Sequence, residues 1–318
     1  MLTALPQAVR LPLALLLVAG NTLLHATPLL ALALLKFLLP VAAARRGLSR
    51  VLVKLAESWV STNSALLALL TRTEWGIVGV AGLRHDGWYL VLSNHQSWVD
   101  IPVLQHALNR RVPFLKFFLK QPLIWVPVLG LVWWALDFPF MRRYSRELLE
   151  RRPELRGRDL DATRRACEKF RQLPVSVTNF VEGTRLTAGK HARQESPYRH
   201  LLRPRAGGVA FVLGAMGDVL HALVDVTIAY PDGAPTMIDL LAGRVRRIIV
   251  HVREREIPPD LAGGDYENDP ACRERFQAWI NGIWAEKDAV LAQILGGAAG
   301  TAVVEGPGPR AQGPEQPR

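Results

Sequence analysis

The stretch VLSNHQSWVDIPVL, Val91 to Leu104, breaks an apolar run at Ser93-Asn94, presents an imidazole at His95 and, five residues later, a carboxylate at Asp100. In a regular helix two side chains at that spacing project about 140° apart, and in a strand they point to opposite faces. They meet only where the chain turns between them, and the sequence supplies the turn. A strand ends at Leu92, Ser93-Asn94-His95-Gln96-Ser97 is loop chemistry, and Pro102 suits the first turn of a new helix. His95 is thus expected at a strand tip, with Asp100 folding back towards its Nδ1. A carboxylate there holds one tautomer, leaves Nε2 as a base and stabilises the imidazolium that forms. This is triad logic without a protein nucleophile, because the substrate brings its own hydroxyl. The competing reading is an exposed histidine beside an aspartate that caps a helix.

Outward from this stretch, short β-like runs alternate with helical ones from Trp75 to Val252, the pattern of an α/β fold with a mixed sheet flanked by helices. Strands are predicted at Trp75–Val80, Trp88–Leu92, Ala135–Met141, Val175–Phe180, Leu223–Ala229 and Val245–Val252. Helices are predicted at Ile101–Asn109, Leu160–Gln172, Gly208–Met216 and Pro270–Ile294. The region 142–165 carries nine arginines, most of them read as a solvated surface facing a membrane. The apolar run PLIWVPVLGLVWWA (Pro122–Ala135) is too short and too interrupted for a transmembrane helix, so Trp125, Trp133 and Trp134 suit either core or an interfacial wall. No internal repeat is visible.

Composition separates the partners. Lys and Arg outnumber Asp and Glu 39 to 28, a formal charge of +11, which calls for an anionic partner. Leu11 to Leu39 holds a single charge, Lys36, and is expected to form two apolar helices broken at Gly20-Asn21 and Thr27-Pro28. Arg45, Arg46, Arg50 and Lys54 follow, a cytoplasmic, headgroup-facing arrangement. A cleaved signal peptide, starting at Arg10 and ending at Leu24-His25-Ala26, is the alternative; the apolar run resumes at Pro28, which favours an anchor. The expected division is a membrane-anchoring hairpin over 1–44, an α/β domain over 45–295 and a Gly-, Ala- and Pro-rich disordered tail over 296–318. The two cysteines, Cys167 and Cys272, suggest neither a disulfide framework nor a metal knuckle. His25, His85, His106, His191, His200, His221 and His251 have no metal-ligand spacing and are read as structural or surface residues.

Other segments gather cations at predicted strand ends, as an anionic substrate of an open α/β sheet requires. NFVEGTRLT (Asn179–Thr187) turns at Glu182-Gly183-Thr184-Arg185. The glycine permits close backbone approach, and the hydroxyl and guanidinium are partners for a phosphate. FPFMRR (Phe138–Arg143) and LLRPRAGG (Leu201–Gly208) add Arg142, Arg143, Arg203 and Arg205.

Together these segments resemble the glycerolipid acyltransferase family, lysophosphatidate acyltransferase type. NHQSWVD looks like its first motif, Asn-His-x4-Asp. FMRR resembles the second, with Arg143 at its basic position and Asp137-Phe138 in place of the usual glycine region. FVEGTR resembles the third, with Val181 where proline is usual. VDVTIAYP (Val224–Pro231) sits at the fourth, with Asp225 in place of proline, a wording closer to the lysocardiolipin and lysophosphatidylinositol branch. The resemblance covers about Lys54 to Pro231. It implies direct transfer of an acyl group from acyl-CoA or acyl carrier protein to a lysophospholipid hydroxyl, most readily that of 1-acylglycerol 3-phosphate, without an acyl-enzyme or a metal. It casts His95 as base and Asp100 as its orienting group. It assigns Arg143, Glu182, Gly183, Thr184 and Arg185 to the acceptor's phosphate and glycerol, with Glu182 orienting Arg185 or receiving the glycerol hydroxyl, and Lys120 at a further basic position. The expected location is the inner membrane with the catalytic domain facing the cytoplasm. A nucleic-acid binder would need a recognition motif or an aromatic platform, and neither is visible, so no nucleic-acid partner is expected. A catalytically inactive membrane scaffold of the same fold is the remaining rival.

Overall fold

Tyr89–Ser93 is buried on both faces and forms the strand, β2, from which the site hangs. The structure is a computed structural model, and it describes residues 6–141, 151, 167–171, 173–262, 264, 266 and 269–297. One six-stranded sheet runs in the order β1 (Glu74–Val78), β8 (Arg247–Arg255), β7 (Ala222–Ala229), β2, β6 (Ser176–Phe180) and β3 (Leu115–Phe117). β7, β2, β6 and β3 are parallel, β8 is antiparallel to β7, and β1 is parallel to β8. The sheet is therefore mixed, as expected from the sequence. A two-strand ladder, β4 (Leu119–Lys120) with β5 (Phe140–Met141), lies apart from it.

The side chains of β2 divide the core by the period of two that a strand imposes. Tyr89 and Val91 face one apolar cluster, built with α1 (Gln7–Leu38), α2 (Ala42–Leu70) and α3 (Asp100–Leu108). Leu90 and Leu92 face the other, built with α6 (Gly207–Met216) and α8 (Pro270–Gly297). Burying each such leucine contributes on the order of 1.5–3 kcal/mol. A strand packed this way on both faces cannot slip register, and so fixes where its tip lies.

Two expectations are corrected. The segment Leu11–Leu39 is not broken; α1 is one 32-residue helix with Pro12 and Pro28 inside it. Its hairpin partner is α2, so the expected boundary at 44–45 falls in the first turn of α2. Asn21, read as part of a break, instead joins the two helices: its Nδ2 donates to Trp59 O at 3.3 Å and to Asn63 Oδ1 at 2.8 Å. His25 Nδ1 donates back to Asn21 O within α1 at 3.0 Å, and its Nε2 accepts from Ser58 Oγ of α2 at 3.3 Å. The predicted strand Ala135–Met141 is mostly not one. Leu129–Ala135 forms α4, Asp137 has φ of 59°, and only Phe140–Met141 pairs. Trp133 packs on the core, while Trp125 and Trp134 are exposed. The predicted helix Leu160–Gln172 is described only at residues 167–171, of which 167–170 are helical and Arg171 is a turn, and most of the arginine-rich region lies outside the described residues. Gly296 and Gly297 close α8, and the rest of the expected tail, 298–318, lies outside the described residues.

Candidate active site

β2 ends at Ser93, and Asn94 staples the strand's end to β7: its Nδ2 donates to Ile228 O and its Oδ1 accepts from Ile228 N, both at 2.9 Å. The next residue is therefore delivered at a fixed point above the sheet. His95 lies there, part-buried, its ring stacked on Phe180 at the tip of β6 with centroids 4.0 Å apart and planes at 16°. The chain then turns, and α3 begins at Asp100. His95 Nδ1–H donates to Asp100 Oδ2 at 2.8 Å. Asp100 is fully buried and accepts three further hydrogen bonds: Gln96 N at 2.6 Å and Ser97 N at 2.8 Å on Oδ2, and Tyr230 Oη at 2.6 Å on Oδ1. Four converging donors suit only an acceptor group, and they fix the carboxylate that fixes the imidazole. His95 Nε2 has no hydrogen-bond partner among the described residues, so its lone pair is left for a proton from elsewhere. Burial, and then the charge of Asp100, push the Tyr230 hydroxyl well above its usual pKa, so it stays a donor.

The Glu182–Arg185 turn sits beside this dyad. Leu186 N donates to His95 O at 2.7 Å, which ties the two loops together. Gly183 adopts φ of 68°, a left-handed conformation that glycine adopts without strain. Thr184 Oγ1 accepts from Lys190 Nζ at 2.7 Å, and Arg185 is exposed with its guanidinium 4.9 Å from the Trp98 ring. Glu182 does not orient Arg185, which corrects that expectation: it is buried, and among the described residues neither carboxylate oxygen has a hydrogen-bond partner. Burial lifts its pKa from the ordinary 4.5 to about 8, raised further by Asp100 and opposed by the nearby His95 and Leu202 amides and by Lys287. Neither amide makes a hydrogen bond of normal geometry to it.

The remaining predicted cations divide. Lys120 is exposed at the end of β4. Arg203 clamps its own loop, donating to Gln194 O at 2.9 Å and Glu195 O at 2.8 Å, so it is not free for a phosphate. Arg205 is exposed. Arg142 and Arg143 lie outside the described residues. At the start of α6, a Cβ on Gly208 would come within 2.7 Å of Asn179 Nδ2, so a larger residue there would require the Asn179 side chain to shift.

Four residues escaped the sequence reading. Phe180 and Tyr230 stand inside quoted motifs yet carry no signal of their contacts with His95 and Asp100. Lys190, in α5 (Ala188–Arg193), reaches Thr184 and also donates to Arg185 O at 3.0 Å. Lys287, fully buried in α8, pairs with Asp225 Oδ1 at 2.5 Å and donates to Val226 O at 2.6 Å. Burial lowers its pKa and Asp225 opposes the shift. Among the described residues no group of His, Cys, Asp and Glu could hold a metal ion.

The chain is similar to known acyltransferases in sequence and in fold. A family model described as Acyltransferase matches residues 77–230, the span from β1 to Tyr230. Lysocardiolipin acyltransferase 1 of Danio rerio is 28% identical over 258 residues, covering 76% of this chain and 61% of that relative. The 1-acyl-sn-glycerol-3-phosphate acyltransferase delta of Homo sapiens is 25% identical over 217 residues, covering 63% of this chain and 51% of that relative. The chain thus spans between half and two thirds of the length of these relatives. The crystal structure of the 1-acyl-sn-glycerophosphate acyltransferase PlsC from Thermotoga maritima is similar in fold, with a TM-score of 0.50 over 88% of this chain and 98% of that one, at 16% identity.

Proposed function

Because residues 77–230 make this chain a member of the acyltransferase family, we propose that it moves a fatty acyl group from an acyl thioester to the free hydroxyl of a lysophospholipid, foremost 1-acylglycerol 3-phosphate. One observation carries the chemistry: His95 Nδ1–H held on the buried Asp100 at 2.8 Å, with Nε2 unpartnered among the described residues. Nε2 takes the proton of the glycerol hydroxyl as its oxygen attacks the thioester carbonyl. The tetrahedral intermediate then collapses, the C–S bond breaks, and the imidazolium returns the proton to the departing thiolate. The ring on Phe180 and the four donors on Asp100 keep Nε2 aimed throughout. Thr184 and Arg185, with Lys190 beside them and Arg143 from the second motif, take the acceptor's phosphate by charge-assisted hydrogen bonds. The neutral form that burial favours lets Glu182 donate to the acceptor's glycerol. The donor is acyl-CoA or acyl carrier protein.

The acceptor is an amphiphile, which places the reaction at a bilayer surface. α1 is long and apolar enough to cross a membrane, and Leu16, Leu24 and Phe37 are among its exposed side chains. With Arg45, Arg46, Arg50 and Lys54 behind it, we assign the anchor to the inner membrane and the catalytic domain to the cytoplasmic face. A remodelling acyltransferase that takes lysocardiolipin or lysophosphatidylinositol is the second reading, favoured by the lysocardiolipin acyltransferase relatives and by Asp225 in the fourth motif. Purified chain is incubated with labelled acyl-CoA or acyl carrier protein and a panel of lysolipids. Transfer fastest to lysophosphatidate supports the first reading and transfer fastest to lysocardiolipin the second; no ester from any pair would leave only an inactive scaffold.

A further inference from the structure

At the far end of the sheet from His95 lies a cleft of about 650 Å³ with a marked charge imbalance. Five cations, Lys36, Arg45, Arg46, Lys116 and Lys169, line it against one carboxylate, Asp137. Asp137 is shared, at 3.1 Å to Lys36 and 3.1 Å to Lys169, and so cannot neutralise even that pair. Among the described residues Arg45, Arg46 and Lys116 have no carboxylate partner. Lys116 rises from the edge strand β3 with its Nζ 4.9 Å from the centre of the Phe170 ring. Burial depresses its pKa to about 8, opposed by Asp137 and helped by Lys36 and Lys169. Like charges held this close repel one another, and an anion bound among them relieves the repulsion.

The place of the cleft selects the anion. Val175 and Phe114, in its wall, lie at the starts of β6 and β3, whereas His95 follows the end of β2. Tyr89 pairs with Ser176 and Ser93 with Phe180, so the two sites are separated by the length of the strands, about 15 Å at roughly 3.3 Å per residue. A group bound in the cleft is therefore not at the reacting centre. Lys36, Arg45, Asp137 and Lys169 also line a second hollow of about 390 Å³, whose wall includes the exposed Phe37 and Trp134. A phosphate in the cationic part would have the apolar surface of Phe37 and Trp134 beside it.

We propose that this cleft binds the phosphate of an anionic phospholipid, held as a resident lipid between the α1–α2 pair and the sheet edge and not consumed as substrate. The lipid would neutralise the cations and seat the anchor helix on the domain. This inference stands on the cleft alone and is independent of the acyl-transfer reading. It is tested by calorimetric titration of the purified full chain with dihexanoyl phosphatidylglycerol below its micelle concentration. Saturable one-site binding is expected, weakened about tenfold by Lys116→Met and by Lys169→Gln, as loss of a charge-assisted contact implies. Arg50→Gln, on the same basic face of α2 but outside the cleft, is expected to leave it unchanged. Equal weakening by Arg50→Gln would reduce the effect to surface charge and overturn the proposal. Competition by inorganic phosphate at equal concentration would make the ligand free phosphate, and displacement by CoA that depends on Lys116 would make the cleft part of the donor site; either overturns the lipid assignment. No binding by the wild-type chain overturns it as well.

Discussion

Asp100 meets the first reading of its sequence position and not the second, since its side chain caps no helix N–H. It is the first residue of a helix and accepts from the backbone just before it, and the oxygen that does so also holds His95. His95 and Asp100 were legible because the turn that joins them is local and its residues are turn formers. Tyr230 and Phe180 were not, because they reach the dyad from 130 and 85 residues away, and no local pattern encodes which strand tips will meet. Replacing Tyr230 with Phe should leave Asp100 Oδ1 buried without its donor. The expected loss is about 1–3 kcal/mol of stability, read by urea denaturation, with a fall in kcat larger than any change in KM. Glu182 makes a second prediction. Its burial lifts its pKa to about 8, so between about 4.5 and 8 the folded chain keeps a proton that the unfolded chain has lost. The stability tied to that proton is complete below about 4.5 and is lost as pH rises through about 8. The Tm of the wild-type chain should therefore fall from pH 5 to pH 8.5 relative to that of Glu182→Gln; parallel curves would show that Glu182 is not held neutral by burial.

At the scale of elements, periodicity located β1, β2, β6, β7, β8, α3, α6 and α8 to within a few residues, because each has an apolar face to bury. It failed where polar side chains serve a neighbour. Gly20-Asn21 looks like a break in α1, but Asn21, with His25 four residues on, bonds α1 to α2. The short β3 was missed, since three residues leave no pattern to read. Ala135–Met141 reads as a strand because so short an apolar segment carries no period that separates strand from helix end and turn, yet only Phe140–Met141 pairs. The join of α8 to β7 is the clearest case of tertiary context. Lys287 sits in a helix whose sequence looks ordinary, and Asp225 in a strand of eight buried residues; only the fold shows that they pair. Arg255, donating to Asp225 Oδ2 at 3.1 Å, and Glu286 extend the pair to the surface. Lys287→Met alone should cost about 1–3 kcal/mol by leaving Asp225 Oδ1 buried without its cation while Arg255 still holds Oδ2. Lys287→Met combined with Asp225→Val should recover most of that loss, again by urea denaturation. If the double variant is as unstable as the single, Lys287 acts through its packing and not its charge.

For the whole molecule, α1 is both an exposed apolar surface and half of a packed helix pair. Leu29 and Ala14 are buried, and Leu52, Ala56 and Val60 of α2 belong to the same core cluster. A chain starting at Ala42 should therefore lose vesicle binding and also expose the α2 face, with lower Tm even in detergent; an unchanged Tm would mean that α1 contributes attachment alone. The account nevertheless turns on one group at the tip of one strand, and single-turnover transfer from labelled acyl-CoA to lysophosphatidate by His95→Ala, with lysolipid binding measured in parallel, tests it most directly. Transfer should fall by a factor on the order of 10² or more while binding is retained. Transfer at the wild-type rate by a folded, lysolipid-binding His95→Ala chain would contradict it.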